Sequence, residues 1–329
     1  MADRRLTRRA VAGLVSAPFI AGLLPAAAAG AQRSTPQGGV VQKMRSALYR
    51  FASAPFPYYG RIPTGEKFLD TEVHGRLGHD SPRGGLYFEY PTYSDNRVLL
   101  AMPEGFDPAR PAMLVLYFHG NQTTLERDVV GRDRLLQQLQ ASKLNAAFIA
   151  PQMAVDALDS SAGKFWEPGS LDRFLAEASG NLADLWGDPK MKKRFSELPV
   201  MLVAFSGGYD PLVFGASLGG ASPRIAGVAL FDALYDEFPR FADWIAEWGE
   251  TAFFFSAYTT DMEDQNAELR KLLDELDVHY TNSLPRQFVP GEVAFLETRD
   301  RLHRDFITRA WVNNPLTDLL NRIPGYPRG

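Results

Sequence analysis

From residue 111 onward, apolar residues arrive in short unbroken runs at 113–118, 146–150, 200–205, 225–231 and 252–258, each bounded by Gly, Pro, Asp or Ser. Apolar side chains on both alternations predict strands buried on both faces, the pattern of a parallel sheet. Between the runs, segments 125–142, 170–185, 238–248 and 263–276 predict helices. Leu135, Leu136 and Leu139 share one stripe of the first, and Leu269, Leu272, Leu273 and Leu276 share one stripe of the last. A final strand is predicted over 292–297, then a helix over 303–312 and a turn over 316–323. This alternation predicts an α/β fold: a doubly wound, mostly parallel sheet with its chemistry at the C-terminal ends of the strands. Upstream, 85–91 and 98–102 predict an antiparallel hairpin joined by the polar turn 92–96. Residues 85–329 read as one domain. Residues 32–84, rich in Pro, Gly and Ser with little period as far as residue 70, read as an N-terminal arm laid over it.

The first 31 residues are set apart by composition. Arg4, Arg5, Arg8 and Arg9 form a basic start, an Ala- and Gly-rich apolar stretch follows, and Ala29-Gly30-Ala31 offers an A-x-A cleavage site. That is the layout of a bacterial signal peptide. Thr7-Arg8-Arg9-Ala10-Val11 is similar to the twin-arginine export signal, with Val11 where that pattern has Phe. Weak hydrophobicity, interrupted by Pro18 and Pro25, suits this route and makes a poor spanning helix. The expected location is periplasmic or secreted. No cysteine is present, which excludes disulfides, thiolate metal sites and a cysteine nucleophile. The leader holds four arginines and one aspartate, so removing its +3 from the chain's −4 leaves −7 on residues 32–329. So acidic a chain is a poor partner for nucleic acid.

Three strand ends carry unusual chemistry: Phe118-His119-Gly120-Asn121, Ala204-Phe205-Ser206-Gly207-Gly208 and Phe231-Asp232. A serine on a sharp strand-to-helix turn needs small neighbours, because its backbone is strained and the two elements run close together. The competing reading of Ser206 is a helix cap. With His303 after the last strand, these residues make the stretch from Gly85 to the C-terminus similar to the α/β-hydrolase superfamily. The chain has A-F-S-G-G where that family has G-x-S-x-G. The resemblance implies Ser206 as nucleophile and His303 as general base. It also implies an oxyanion hole from the backbone N–H groups of Asn121 and Gly207. His119 stands too early in the chain for the base and reads as a hydrogen-bonded structural residue. His279 precedes the last core strand, and His74 with His79 lacks a third metal ligand.

The acid that orients the histidine has three candidates. Asp232 is favoured because it ends a strand directly. Asp261 follows the next strand, and Asp236 lies one helical turn beyond Asp232. Loop 154–169 is expected to shape the pocket, with Trp166 as a wall and Glu167 as a polar contact. Only about 20 residues separate Asp232 from the next strand, which leaves room for one helix and no large lid domain. The resemblance implies ester hydrolysis through an acyl-enzyme on Ser206, with no metal or organic cofactor required. An open site suits a bulky ester, such as an acyl group on a cell-envelope component. A peptidase or amidase with the same triad, and a catalytically silent envelope-binding scaffold, are the alternatives.

The leader generates a first prediction. The exported protein should begin near Gln32, and changing Arg8 and Arg9 together to Lys should block its export, followed by fractionation of cell compartments. Normal export of the double variant would rule out the twin-arginine route.

Overall fold

The computed structural model describes residues 43–329. The expected signal peptide, 1–31, and the start of the arm, 32–42, lie outside the described residues. The strands are β1 (Arg45–Arg50), β2 (Thr71–Val73), β3 (Arg76–Ser81), β4 (Gly85–Phe88), β5 (Arg97–Met102), β6 (Met113–Phe118), β7 (Ala146–Pro151), β8 (Val200–Phe205), β9 (Ile225–Phe231), β10 (Phe253–Thr259) and β11 (Val293–Thr298). Eight of them form one sheet in the order β1-β5-β7-β6-β8-β9-β10-β11, and β2-β3-β4 form a separate three-stranded sheet. β1 and β5 pair antiparallel at one edge, β5 pairs antiparallel with β7, and every other pair in the large sheet is parallel.

Successive residues of β6 enter two different cores. Leu114, Leu116 and Phe118 pack with the helices Ser170–Trp186, Tyr209–Leu218, Phe238–Trp248 and Glu263–Glu275. Met113, Val115 and Tyr117 pack with Leu135–Ala141 and Pro315–Asn321 on the other face. Every residue of β6, β7, β8 and β10 is buried, which is why their sequences are apolar without alternation. Tyr117, at the centre of the second core, is buried with its hydroxyl pushed well above its ordinary pKa by desolvation. Between Asp232 and β10 stands one helix, Phe238–Trp248, and no lid domain.

Four local readings differ from the sequence pattern. The 85–91 and 98–102 hairpin does not form. β4 pairs with β3, whereas β5 runs inside the large sheet between β1 and β7. Residues from Val98 to Met102 are all buried and need a covered position, which a hairpin with the half-exposed β4 would not supply. The arm is also part of the sheet. β1 alternates half-buried and exposed positions as an edge strand does, and Phe51, Phe56 and Phe68 are fully buried in the first core. The 125–142 helix is two pieces: a wide turn with i+5 hydrogen bonds over Leu125–Arg132, then Leu135–Ala141, separated at Arg134 with φ 52°. Buried Asp133, bonded to Arg132 at 2.8 Å, occupies the break. Finally, the 303–312 helix is a single turn, His303–Asp305, and a helix begins instead at Pro315. Proline at the first helical position, with its backbone preset for the helix, starts it there.

Candidate active site

The parallel register brings the three unusual strand ends to one edge. Phe118 pairs with Ala204, Phe205 with Phe231, and Phe231 with Ala257. Ser206 and Asp232 are therefore each the first residue past a paired position on neighbouring strands. Both leave their strand with a left-handed backbone, at φ 52° and φ 49°. Such a conformation costs a residue with a Cβ roughly 1–2 kcal/mol and persists because the packed sheet imposes it.

His303 completes a hydrogen-bonded line. Its Nε2 accepts from the Ser206 hydroxyl at 2.8 Å, and its Nδ1–H donates to Asp232 Oδ2 at 2.6 Å. The Asp232 side chain is 1% exposed and that of His303 is 40% exposed. Asp232 Oδ1 accepts from the backbone N–H of Thr259 at 2.7 Å and from its hydroxyl at 3.0 Å, so the end of β10 holds the carboxylate. The Phe205 ring stacks on the imidazole at 5.0 Å between centroids and 18° between planes, and Tyr235 meets its edge at 6.1 Å. The other acids stand elsewhere. Asp236 is exposed and bonds its neighbour's backbone at Glu237, and Asp261 is exposed beyond β10. His279 is exposed in the segment that follows the helix Glu263–Glu275.

The loop after β6 is pressed against the serine turn. A Cβ on Gly120 would lie 2.8 Å from Ser206 Cβ, and one on Gly207 would lie 2.2 Å from Asn121 Oδ1. A side chain at Gly120 would strike the serine turn, and one at Gly207 would push aside the Asn121 side chain. Gly207 is in the first turn leading into Tyr209–Leu218, where backbone N–H groups lack an intrahelical acceptor. Among the described residues, the backbone N–H of Asn121 makes no hydrogen bond. Two free donors thus adjoin Ser206, at the positive end of a helix.

His119 is buried beneath this loop. Its Nδ1–H donates to Gly120 O at 2.8 Å, and Nε2 accepts from the Met153 N–H at 2.9 Å. It fixes the peptide that aims Asn121 and does not reach the cleft. Burial lowers its pKa to about 4. His79 is likewise structural, bonded through Nδ1 to Phe68 O at 2.7 Å. Among the described residues no group of three His, Asp or Glu is placed to hold a metal ion.

Ser206, His303 and Asn121 open on a cleft of about 340 Å³. Leu158 and Tyr235 line it, and burial together with the Asp232 charge pushes the Tyr235 hydroxyl up to about 12. Loop 154–169 therefore contributes Leu158, but the expected contacts do not. Trp166 packs away from the cleft against Tyr58 and Phe68, and Glu167 pairs with Arg173 at 3.0 Å. The sequence reading also missed Arg83, Arg132 and Arg304, which line the same cleft. Arg83 sits in the β3–β4 turn, far upstream, and no local pattern ties it to Ser206.

Strand order, crossovers and the position of the Ser–His–Asp line are those of an α/β-hydrolase fold. No protein-family model and no curated protein matches the sequence. Among solved structures, the chain is similar to the feruloyl esterase module of Clostridium thermocellum, at 13% identity over 86% of this chain and 94% of that one, with a TM-score of 0.46. It is also similar to an S-formylglutathione hydrolase from Agrobacterium tumefaciens, at 12% identity over 77% and 97%, with a TM-score of 0.43. A dienelactone hydrolase from Anabaena variabilis matches at 12% identity over 68% and 88%, with a TM-score of 0.40.

The buried His119 generates a prediction on stability. Its pKa in the folded chain lies below the ordinary 6.5, so the unfolded chain binds the proton first. Its contribution is complete above about 6.5 and is lost as pH falls toward about 4. Urea unfolding of the protein and of a His119→Gln variant should give stabilities that converge over that interval. Parallel pH profiles would show that His119 is not held neutral.

Proposed function

We propose that this chain is a serine hydrolase that cleaves a carboxylic ester through an acyl-enzyme on Ser206. The hydrogen-bonded line from Ser206 through His303 to Asp232, opening on a cleft, carries the reading. His303 Nε2 takes the hydroxyl proton as Ser206 Oγ attacks the carbonyl carbon. Asp232 holds the imidazole with its proton on Nδ1 and stabilises the cation that forms. The carbonyl oxygen gains a negative charge and accepts from the backbone N–H groups of Asn121 and Gly207, each worth roughly 3–4 kcal/mol in the transition state. Collapse expels the alcohol, which leaves with the proton from Nε2. Water repeats the sequence and frees the acid.

An ester makes the smaller demand on the base. An alkoxide leaves a tetrahedral intermediate far more readily than an amide anion, and an amide nitrogen must be protonated by the imidazole before it can depart. A silent scaffold would have no need of a left-handed serine hydrogen-bonded to a histidine. We extend the reading to an exported enzyme acting on an acyl group of the cell envelope. The leader composition and a cleft without a lid domain support this.

Two variants test the mechanism. Ser206→Ala should abolish covalent labelling by a fluorophosphonate while changing stability by less than about 1 kcal/mol. Persistent labelling would place the nucleophile elsewhere. Asp232→Asn should lower kcat by about 10³–10⁴ with little change in KM. Asp261→Asn, on the same ester, should cost less than about tenfold, and a reversed order would transfer the acid's role to Asp261.

A further inference from the structure

We infer that the substrate carries an anionic group, a carboxylate or a phosphate, which Arg83 and Arg304 receive beside the scissile ester. The inference rests on the ester-hydrolase reading above and names its substrate class. Among the described residues, three arginines and no carboxylate line the cleft that holds Ser206 and His303. One of them, Arg132, also lines an adjoining basin of about 580 Å³ together with Arg134 and Arg309, where Asp305 is the sole acid on the lining among the described residues. On residues 32–329, which carry −7, such a concentration of positive charge runs against the general field.

The arginines differ in how far they are already neutralised. Arg132 is held by Asp128 at 2.9 Å and Asp133 at 2.8 Å, so it serves mainly to shape the wall. Arg304 and Arg309 approach the single Asp305 only loosely, at 3.7 and 3.8 Å. Arg83 has no carboxylate within 4.0 Å among the described residues. Its guanidinium stands 5.7 Å from the centre of the Tyr235 ring, the same ring that meets His303. The turn bearing Arg83 is anchored to the cleft wall from both sides of Leu158. Ser81 donates to Leu158 O at 3.0 Å, and Tyr87 accepts from the Leu158 N–H at 3.1 Å. Arg304 is the chain neighbour of the base and is 80% exposed. An anion on the substrate thus meets two exposed guanidiniums with unused donors on the lining of the cleft that holds the triad histidine.

Matched ester pairs test this. A carboxylate on the acyl side is offered by 4-nitrophenyl hemiglutarate against its methyl ester. On the alcohol side, 4-acetoxybenzoate is offered against its methyl ester, and 4-acetoxyphenyl phosphate against phenyl acetate. At least one anionic member should be preferred in kcat/KM by about tenfold or more, and the preferred pair identifies the anion and its side. The preference should shrink at least about tenfold in Arg83→Gln/Arg304→Gln, recover in part with Lys at both positions, and weaken as salt rises from about 0.05 to about 0.5 M. Equal turnover within all three pairs, or equal losses on both members in the double variant, would overturn the proposal. Binding of the anionic member of the preferred pair to Ser206→Ala, with and without the two Gln substitutions, reads the anion site without turnover. Unchanged affinity there would also overturn it. Fluorophosphonate labelling of Ser206 without any anion preference sinks the anion site alone. Anion preference in binding without labelling sinks the hydrolase reading alone.

Discussion

The site depends on two backbone conformations that the chain adopts only because a packed sheet forces them. Ser206 and Asp232 both turn into the left-handed region at the ends of adjacent parallel strands. In isolation each residue would relax, since the conformation crowds Cβ against the backbone. The strands that precede them are buried on both faces, and side chains from two separate cores grip each one. That packing cannot be relaxed locally, because interiors are dense and a shift of one strand disturbs both layers. The strain therefore stays at the sheet edge, where it lifts an oxygen nucleophile and a carboxylate out of line with their strands.

Around this edge, support is graded by how much each group must move during a reaction. Asp232 is buried and tied to Thr259, because its task is to keep one orientation. Asn121 is aimed by a peptide whose carbonyl the neutral His119 holds from below. Within the triad, His303 alone stands away from a strand end, in the turn His303–Asp305, lightly confined by the Phe205 face and the Tyr235 edge. In the proposed reaction its imidazole serves the serine oxygen and then the leaving oxygen, and small rotations about a fixed Nδ1 contact would allow both. The gradient from rigid acid to freer base thus follows from which residues stand on strands and which on a loop.

This gradient also decides what was legible in the sequence. Strand ends are legible because burial on both faces leaves unbroken apolar runs, and the residue that stops each run stands at the edge. Ser206, Asp232 and the 118–121 loop could be read in that way. His303 could be ordered by its place after the last strand, but its predicted helix does not exist, because the chain there is bent by contacts such as Arg301 Nε to Ala310 O at 2.9 Å. The break at Arg134 has a similar cause, since a buried Asp133 with a dedicated arginine overrides the helical stripe of leucines. Arg83 was out of reach for a different reason. Its role arises from a small sheet docked through Leu158, and nothing in an isolated Pro-Arg-Gly turn encodes that docking.

The same docking separates selection from chemistry. In the proposed reaction the large sheet supplies the triad and the two backbone donors, which would act on any ester carbonyl whatever its substituents. The β2-β3-β4 sheet supplies none of these and instead projects Arg83 over the cleft. A guanidinium acts over several ångströms through charge, so it need not be positioned as closely as a nucleophile. An exposed turn is sufficient to carry it, whereas the same turn could not hold a serine in a strained conformation. Substitution at Arg83 can therefore change which esters are retained without disturbing the register that aligns Ser206 with Asp232. The fold thereby leaves specificity free to vary on its periphery while the strained edge remains fixed by its two cores.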